Sequence, residues 1–381
     1  DGEMVTTANT LDVVNPATEE VIGQVPACGK AELDRAVAAA RRAFPVWRKT
    51  PVENRRAAIM AISAAIKDNA DELFRLLTAE QGKPHHQAKG EILGAAGLAA
   101  AQAGLSLEET INQDDATRLS RTRRVPVGVV GGIVPWNFPV MMAVQKIVPA
   151  ILSGCTIVLK PSPFTPLTTL RLAELIKDAV PAGVVNIITG ADELGPLITE
   201  HPDIDKITFT GSTATGKKIM EGASKDLKRI TLELGGNDAA IVLGDVNPEE
   251  AAGKIFDAAF QNSGQVCIAV KRAYVHESIY DRMCDELARL ADAAVIGEGL
   301  QQGVQFGPLQ NKMQYDKVLG VIEDARKTGK IIAGGVTPEG KGYFIRPTIV
   351  RDIEDGTRLV DEEQFGPVLP VIKIKDGEDA L

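Results

Sequence analysis

KITFTGSTATGKKIMEGASKDLKRITLELGG, residues 206–236, is the stretch that decides the fold. Lys206–Thr210 is short and rich in β-branched and aromatic side chains, so it reads as a strand. Gly211 and Ser212 interrupt it, and Thr213–Ser224 takes up helical spacing, with Ser212 or Thr213 as the capping residue. Arg229–Leu234 returns to strand and ends at Gly235-Gly236. A strand, a helix and a second strand within roughly thirty residues form a crossover unit that lays two strands side by side in parallel.

The same rhythm runs upstream. Val127–Val134, Thr156–Leu159 and Val184–Thr189 read as strands, and Thr165–Asp178 and Glu193–Glu200 as helices. A further helix opens at Pro139, an early position where the missing N–H costs nothing. Downstream of Gly236 a second series follows: a strand at Ala239–Val242, a helix over Pro248–Phe260, a strand-like run at Ala269–His276, and helices at Ile279–Leu290 and Lys312–Thr328. Gly303–Pro308 reads as a loop and Gly334-Gly335 as a turn. Ahead of both series, Ala31–Phe44, Val52–Gln81 and Gln87–Leu107 are Ala-rich with helical apolar spacing, and the basic run from Leu119 reads as an exposed extended strand. The fold class expected is α/β, with a doubly wound parallel-sheet domain, a second α/β domain, and Gly235-Gly236 as the hinge between them.

Composition narrows the function. The chain has 381 residues, enough for two cores, and a net charge of −9 that gives no support to nucleic-acid binding. Its four cysteines are widely spaced without a C-x-x-C pair, so neither a disulfide framework nor a zinc site is expected, and a reducing, cytoplasmic setting follows. No metal is expected at His85-His86, which reads as a solvated pair. The apolar region Val125–Leu159 carries only Lys146 and is long enough to cross a membrane. Pro126, Pro135, Pro139 and Pro149 instead favour a buried strand–turn–helix–strand.

Two residues point to chemistry. Cys267 follows Gln261-Asn262-Ser263-Gly264-Gln265-Val266, a Gly- and amide-rich approach unlike the setting of a core cysteine. Glu233 ends an apolar strand just before the two glycines. A thiol and a carboxylate on turns between regular elements suggest covalent catalysis with a general base. The bland alternatives are a small core cysteine and a solvated strand-end carboxylate. Gly211-Ser212, where a strand gives way to a helix, suits a phosphate or is a plain N-cap. Gly211–Lys218 nearly matches a P-loop, but Lys218 stands where Ser or Thr must hold magnesium. Lys160, at the end of the Thr156 strand, stands where ligands bind in open α/β sheets, or is a surface lysine in a Pro-rich turn.

Pro135-Trp136-Asn137-Phe138-Pro139, Lys160-Pro161-Ser162, Phe209-Thr210-Gly211-Ser212, Leu232-Glu233-Leu234-Gly235-Gly236, Gly264-Gln265-Val266-Cys267 and Glu362-Glu363-Gln364-Phe365-Gly366-Pro367 together resemble, in order, the aldehyde dehydrogenase superfamily. The resemblance implies oxidation of an aldehyde to its carboxylic acid with NAD or NADP, NAD being slightly favoured. It implies Cys267 as nucleophile, Glu233 as general base and the Asn137 side chain as an oxyanion donor beside the Cys267 N–H. Lys160, Ser212, Gly211, Trp136, Gly190, Leu234, Glu363 and Phe365 would serve the cofactor. Phe138, Met142, Gln145, Val266 and Ile268 would line the substrate channel, which suits a medium-sized, uncharged or weakly polar aldehyde.

It further implies an NAD(P)-binding domain over 1–107 and 127–234, an oligomerisation arm over 108–126 and a catalytic domain over 235–381, assembled as a homodimer or homotetramer. Pro163 departs from the Glu of many NAD-preferring relatives and leaves NADP open. Family members continue well past the Glu363 motif, so a C-terminal part is expected to be missing at Leu381. A coenzyme A-acylating enzyme and an inactive binding protein on the same fold are the alternatives; Glu233 argues against the first and the Cys–Glu–Asn set against the second.

Overall fold

The computed structural model describes residues 2–381. In chain order the strands and helices are β1 (Thr10–Val14), β2 (Val21–Pro26), α1 (Lys30–Trp47), α2 (Val52–Asp68), α3 (Ala70–Gln81), α4 (His85–Ala103), β3 (Thr110–Asp114), β4 (Leu119–Thr122), β5 (Val129–Ile133), α5 (Pro139–Leu152), β6 (Thr156–Lys160), α6 (Leu167–Ile176), β7 (Val185–Ile187), α7 (Leu194–Glu200), β8 (Lys206–Thr210), α8 (Thr213–Ser224) and β9 (Arg229–Glu233). They continue as β10 (Asp238–Val242), α9 (Pro248–Phe260), β11 (Val270–His276), α10 (Tyr280–Ala293), α11 (Lys312–Thr328), β12 (Lys330–Ala333), β13 (Thr348–Arg351), α12 (Arg358–Asp361) and β14 (Val368–Ile374).

The chain divides into two compact units. The first comprises residues 1–13, 23–76 and 89–233; the second 14–22, 77–88 and 234–381. The chain passes from one to the other between Glu233 and Leu234, next to the glycine pair. Two short segments upstream also join the second unit, whereas the sequence reading gave all of 1–107 to the first domain.

The first unit is built on a parallel sheet of order β7-β6-β5-β8-β9. Counted from its first strand, this is the 3-2-1-4-5 order of a doubly wound sheet, whose strand order reverses between β5 and β8. Helices α1, α7 and α8 pack together and so do α2, α5 and α6, giving the sheet two helical layers. β6 is buried along its whole length, as a strand covered on both faces must be. The region Val125–Leu159 resolves into β5, α5 and β6, and among the described residues no helix is long and apolar enough to cross a membrane. The Val52–Gln81 helix divides at Asn69, whose side chain caps the Ala65 carbonyl at 2.8 Å. β3 and β4 form an antiparallel exposed ribbon in which β4 was expected and its partner was not.

The second unit carries the sheet β10-β11-β14-β13-β12, parallel except for β12. Phe256, Phe260, Tyr280, Met283 and Leu287 of α9 and α10 fill one core with Ala273, Val275, Leu369 and Val371. Val318, Val321 and Ile322 of α11 fill the other with Val350, Val368 and Ile372. Sequence reading missed β12, β13 and β14.

Candidate active site

In the first unit, the loops after β5, β6, β8 and β9 all leave the carboxyl edge of one parallel sheet. Trp136-Asn137 follow β5 and Gly211-Ser212 follow β8, which puts them on either side of the strand-order reversal, where ligands of open α/β sheets bind. Lys160 is the last residue of β6, Glu233 the last of β9, and Gly190 lies just past β7.

Local structure fixes each of these. Val134 N–H donates to the Lys160 carbonyl at 3.1 Å and Thr165 Oγ1 donates to the Trp136 carbonyl at 3.3 Å, tying the loops after β5 and β6 together. Asn137 is 6% exposed. Immediately after it, α5 starts on an isolated proline, and its Val140 and Met141 N–H groups donate to one carboxylate oxygen of buried Glu91, at 3.0 and 3.2 Å. A carboxylate at a helix N-terminus satisfies orphan donors and complements the helix dipole. Sequence reading missed Glu91, because its partners lie some fifty residues away in the chain.

Phe138, Met142 and Gln145 fall at i, i+4 and i+7 of α5, on one face. The first two are half-buried and Gln145 is exposed.

Two lysines are buried here. Burial holds Lys160 down to about 8 against the pull of Asp192 and Glu193. Burial likewise holds Lys146 down to about 8, against the pull of Glu233, while its Nζ donates to Thr210 Oγ1 at 2.8 Å. Between about pH 8 and the ordinary lysine range the unfolded chain carries these protons and the folded chain does not, so both sites make the fold more stable as pH rises through that window. The urea midpoint of Lys160→Met should therefore rise less between pH 8 and about pH 10 than that of the parent.

Ser212 is the N-cap of α8, accepting from Thr215 N–H at 3.2 Å, so the capping reading holds and the helix N-terminus stands open beside it. The near-P-loop is closed off: α8 begins at Thr213 and takes Gly216-Lys217-Lys218 into its own body. Gly211 and Gly190 have packing reasons of their own. A Cβ would lie 2.5 Å from the Phe209 ring at the first and 2.7 Å from Leu194 at the second.

The second unit gathers its candidates at the amino ends of β10, β11 and β14. Leu234 and Gly235-Gly236 lead into β10, Cys267 into β11, and Glu363-Gln364-Phe365-Gly366 into β14. Glu363 Oε1 accepts from Gly236 N–H at 3.3 Å, and a Cβ on Gly235 would lie 2.1 Å from Glu363 Oε2. A Cβ on Gly236 would lie 3.3 Å from the Cys267 carbonyl. Burial pushes the Glu363 carboxyl up, against the pull of Lys271.

The approach to Cys267 is held in an unusual backbone. Asn262, Ser263 and Gly264 have φ of 50°, 54° and 75°, three left-handed residues in a row. Such strain persists only where the surroundings over-determine it. Here Asn262 N–H donates to Gln87 Oε1 at 2.9 Å and Ser263 Oγ to the Gly307 carbonyl at 2.8 Å. Fully buried Gln265 donates to the Asn262 carbonyl at 2.8 Å and accepts from Gln310 N–H at 2.9 Å. A Cβ at Gly264 would lie 2.3 Å from the Gly366 carbonyl. Gly264→Ala is therefore expected to cost about 1–3 kcal/mol or more in urea unfolding, from backbone strain and collision together.

Cys267 is half-buried, and Cys155 and Cys284 are buried. Burial pushes the Cys284 thiol up to about 12 and raises Cys28 as well. Of the two substrate-channel candidates beside Cys267, Val266 is 7% exposed with its side chain packed away, and Ile268 is 78% exposed. Among the described residues no group of His, Cys, Asp or Glu could hold a metal.

A profile described as the aldehyde dehydrogenase family matches residues 4–381. The chain is 39% identical to a succinate-semialdehyde dehydrogenase [NADP(+)] of Escherichia coli over 97% of its length and 78% of that protein's. It is 41% identical to phenylacetaldehyde dehydrogenase of Pseudomonas fluorescens, over 96% of this chain and 76% of that one. The structure superposes on the NAD+ complex of aldehyde dehydrogenase from Bacillus cereus with a TM-score of 0.97 at 38% identity, covering 99% of this chain and 79% of that one.

Proposed function

The chain belongs to the aldehyde dehydrogenase family and oxidises aldehydes to carboxylic acids with NAD or NADP, and on that premise we propose that Cys267 carries the chemistry, with Glu233 as the general base of hydrolysis and Asn137 as an oxyanion donor. The observation that carries this reading is the strained, over-determined backbone that leads into a half-buried thiol, while Cys155 and Cys284 are shut in the core.

The cofactor fits the first unit. The crevice between β5 and β8 offers the open N-terminus of α8 to a pyrophosphate, flanked by Gly211, Ser212 and Trp136, and Lys160 presents a buried ammonium at the same sheet edge to ribose hydroxyls or a 2′-phosphate. Gly190, just past β7, would let the cofactor approach that edge closely. Glu363, with Phe365 and Leu234, would hold the nicotinamide end. When bound, the cofactor supplies the hydride acceptor. Lys160→Met should raise the cofactor KM about 10- to 100-fold with kcat little changed, since a hydrogen bond to a charged group is worth about 1.5–3 kcal/mol.

An aldehyde has no good leaving group, so its carbon must first become tetrahedral. The Cys267 thiol gives its proton to water, the Sγ thiolate attacks the carbonyl carbon, and the Asn137 amide and Cys267 N–H hold the oxygen that gains the charge. Loss of hydride leaves an acyl group on Cys267. Glu233 takes a proton from water, the water attacks the thioester, and the acid leaves. A carboxylate exposed at the end of β9 favours this hydrolytic course over acyl transfer to coenzyme A.

Phe138, Met142 and Ile268 are apolar and Gln145 adds one polar group, with no cation among them. That supports an uncharged or weakly polar aldehyde, closer to the phenylacetaldehyde of one relative's name than to the succinate semialdehyde of the other. A panel of aliphatic, aromatic and semialdehyde substrates, each with NAD and with NADP, tests this; a tenfold or greater preference for a semialdehyde in kcat/KM contradicts it. Ile111, Leu119 and Val125 are exposed on the β3–β4 ribbon and just beyond it. They support pairing of copies through residues 108–126 into a dimer or tetramer, which light scattering of an Ile111→Lys variant checks. The thiols, none of them bonded, support a cytoplasmic setting.

A further inference from the structure

Lys271 is 1% exposed as the second residue of β11, and nothing in the reaction just described uses it. Its Nζ donates to the Gly264 carbonyl at 3.1 Å and to the Val266 carbonyl at 2.6 Å. The same ammonium sits 5.1 Å from the centre of the Phe365 ring, and the Lys271 carbonyl accepts from Gln364 Nε2 at 3.0 Å. One residue thus grips both the loop that carries Cys267 and the loop that carries Glu363 and Phe365, all within the second unit.

The Val266 carbonyl belongs to the same peptide group as the Cys267 N–H. A trans peptide is planar, with its C=O and N–H pointing in opposite directions, so whatever fixes the oxygen aims the N–H. A cation on the oxygen also polarises the group and strengthens its N–H as a donor. Ala269 N–H donates to the same oxygen at 3.2 Å, completing a two-point hold.

Resting on the assignment of Cys267 as nucleophile, we propose that Lys271 is a positioning residue of the reaction: by holding the Val266 carbonyl it aims and strengthens the Cys267 N–H as an oxyanion donor. Burial holds its ammonium down to about 8, and the groups that face it are Glu363, Cys267 and Asp238, which favour its charge, and Lys317, which opposes it. The site is therefore charged at neutral pH and loses its proton in mildly alkaline solution.

The test compares the parent with Lys271→Met, of similar length without charge or donors, and with Lys271→Arg, which keeps both. It reads kcat, aldehyde KM, the melting temperature, and the rate at which iodoacetamide labels Cys267 without cofactor. Peptide mass spectrometry separates that label from any on half-buried Cys28. For Lys271→Met the expected result is kcat down about 10- to 100-fold, somewhat less than the loss of an oxyanion donor outright, with aldehyde KM within about twofold. Labelling should fall far less than kcat, because alkylation develops no oxyanion and feels Lys271 only as a nearby charge, and the variant should stay folded at the assay temperature although two carbonyls lose a donor. Lys271→Arg should recover most of kcat. The proposal is overturned by a folded Lys271→Met enzyme with kcat within about twofold of the parent, by labelling that falls in step with kcat, or by an equally folded Lys271→Arg no better than the Met variant. The underlying assignment fails by a different result, turnover that survives in Cys267→Ala.

Discussion

Cys267→Ala abolishes turnover, with a fall in kcat of about 10⁴-fold or more, while the cofactor still binds. The magnitude follows from the role: removing the nucleophile closes the covalent route, and what remains is the modest catalysis of the oxyanion donors and of binding. Cofactor binding survives because Lys160, Ser212 and Trp136 belong to the first unit and Cys267 to the second. Removing one sulfur from a half-buried position is a small change in packing, so the melting temperature should move little. Steady-state absorbance of the reduced cofactor measures the loss, and fluorescence quenching on cofactor addition measures the binding. Wild-type turnover in the variant would remove Cys267 from the mechanism.

Glu233→Gln separates the two halves of the reaction. The amide keeps the shape of the carboxylate and cannot accept a proton from water. Acyl transfer to sulfur then proceeds once and hydrolysis stalls, so rapid mixing should show about one equivalent of reduced cofactor per active site, followed by turnover slowed by about 10²- to 10⁴-fold. If Glu233 instead served only to deprotonate the thiol, the burst itself would slow. An unchanged steady state would show that Glu233 is an exposed strand-end carboxylate with no part in the chemistry.

Much of this architecture is legible in the sequence because the chain punctuates its elements strongly. β8 and α8 fall where the stretch 206–236 places them, since Gly211 breaks the strand and Ser212 caps the helix. Pro248 and Asn247 mark the start of α9 in the same way. In the second unit the strands lost to reading were those that carry weak or contrary local signals. β14 is a central strand holding Pro370, which has no N–H for the ladder and argues against a central strand by its type. β12 and β13 are four residues each and adjoin the glycines and prolines of residues 329–347, which read as turn and loop.

At the site, single motifs named the residues that do chemistry but not those that hold them. Glu91 reaches α5 from α4, and no local pattern announces a contact across such a distance. The left-handed run at Asn262-Ser263-Gly264 depends on Gln87, Gly307 and Gln310, all remote in the chain. Lys271 did leave a trace. It shares its side of β11 with Ala273 and Val275, so the alternation of the strand already turns its ammonium inward. A lysine on the buried side of a strand is costly unless it is partnered, and that alone marks it for attention.

The central claim is that an acyl group forms on Cys267. The direct measurement is intact and peptide mass spectrometry of Glu233→Gln, mixed with aldehyde and oxidised cofactor and quenched in acid after the first turnover. The account predicts a mass gain equal to the aldehyde less two hydrogens, carried on the Cys267 peptide and lost on treatment with hydroxylamine. Reduced cofactor formed without any such adduct, or an adduct on another cysteine, contradicts it.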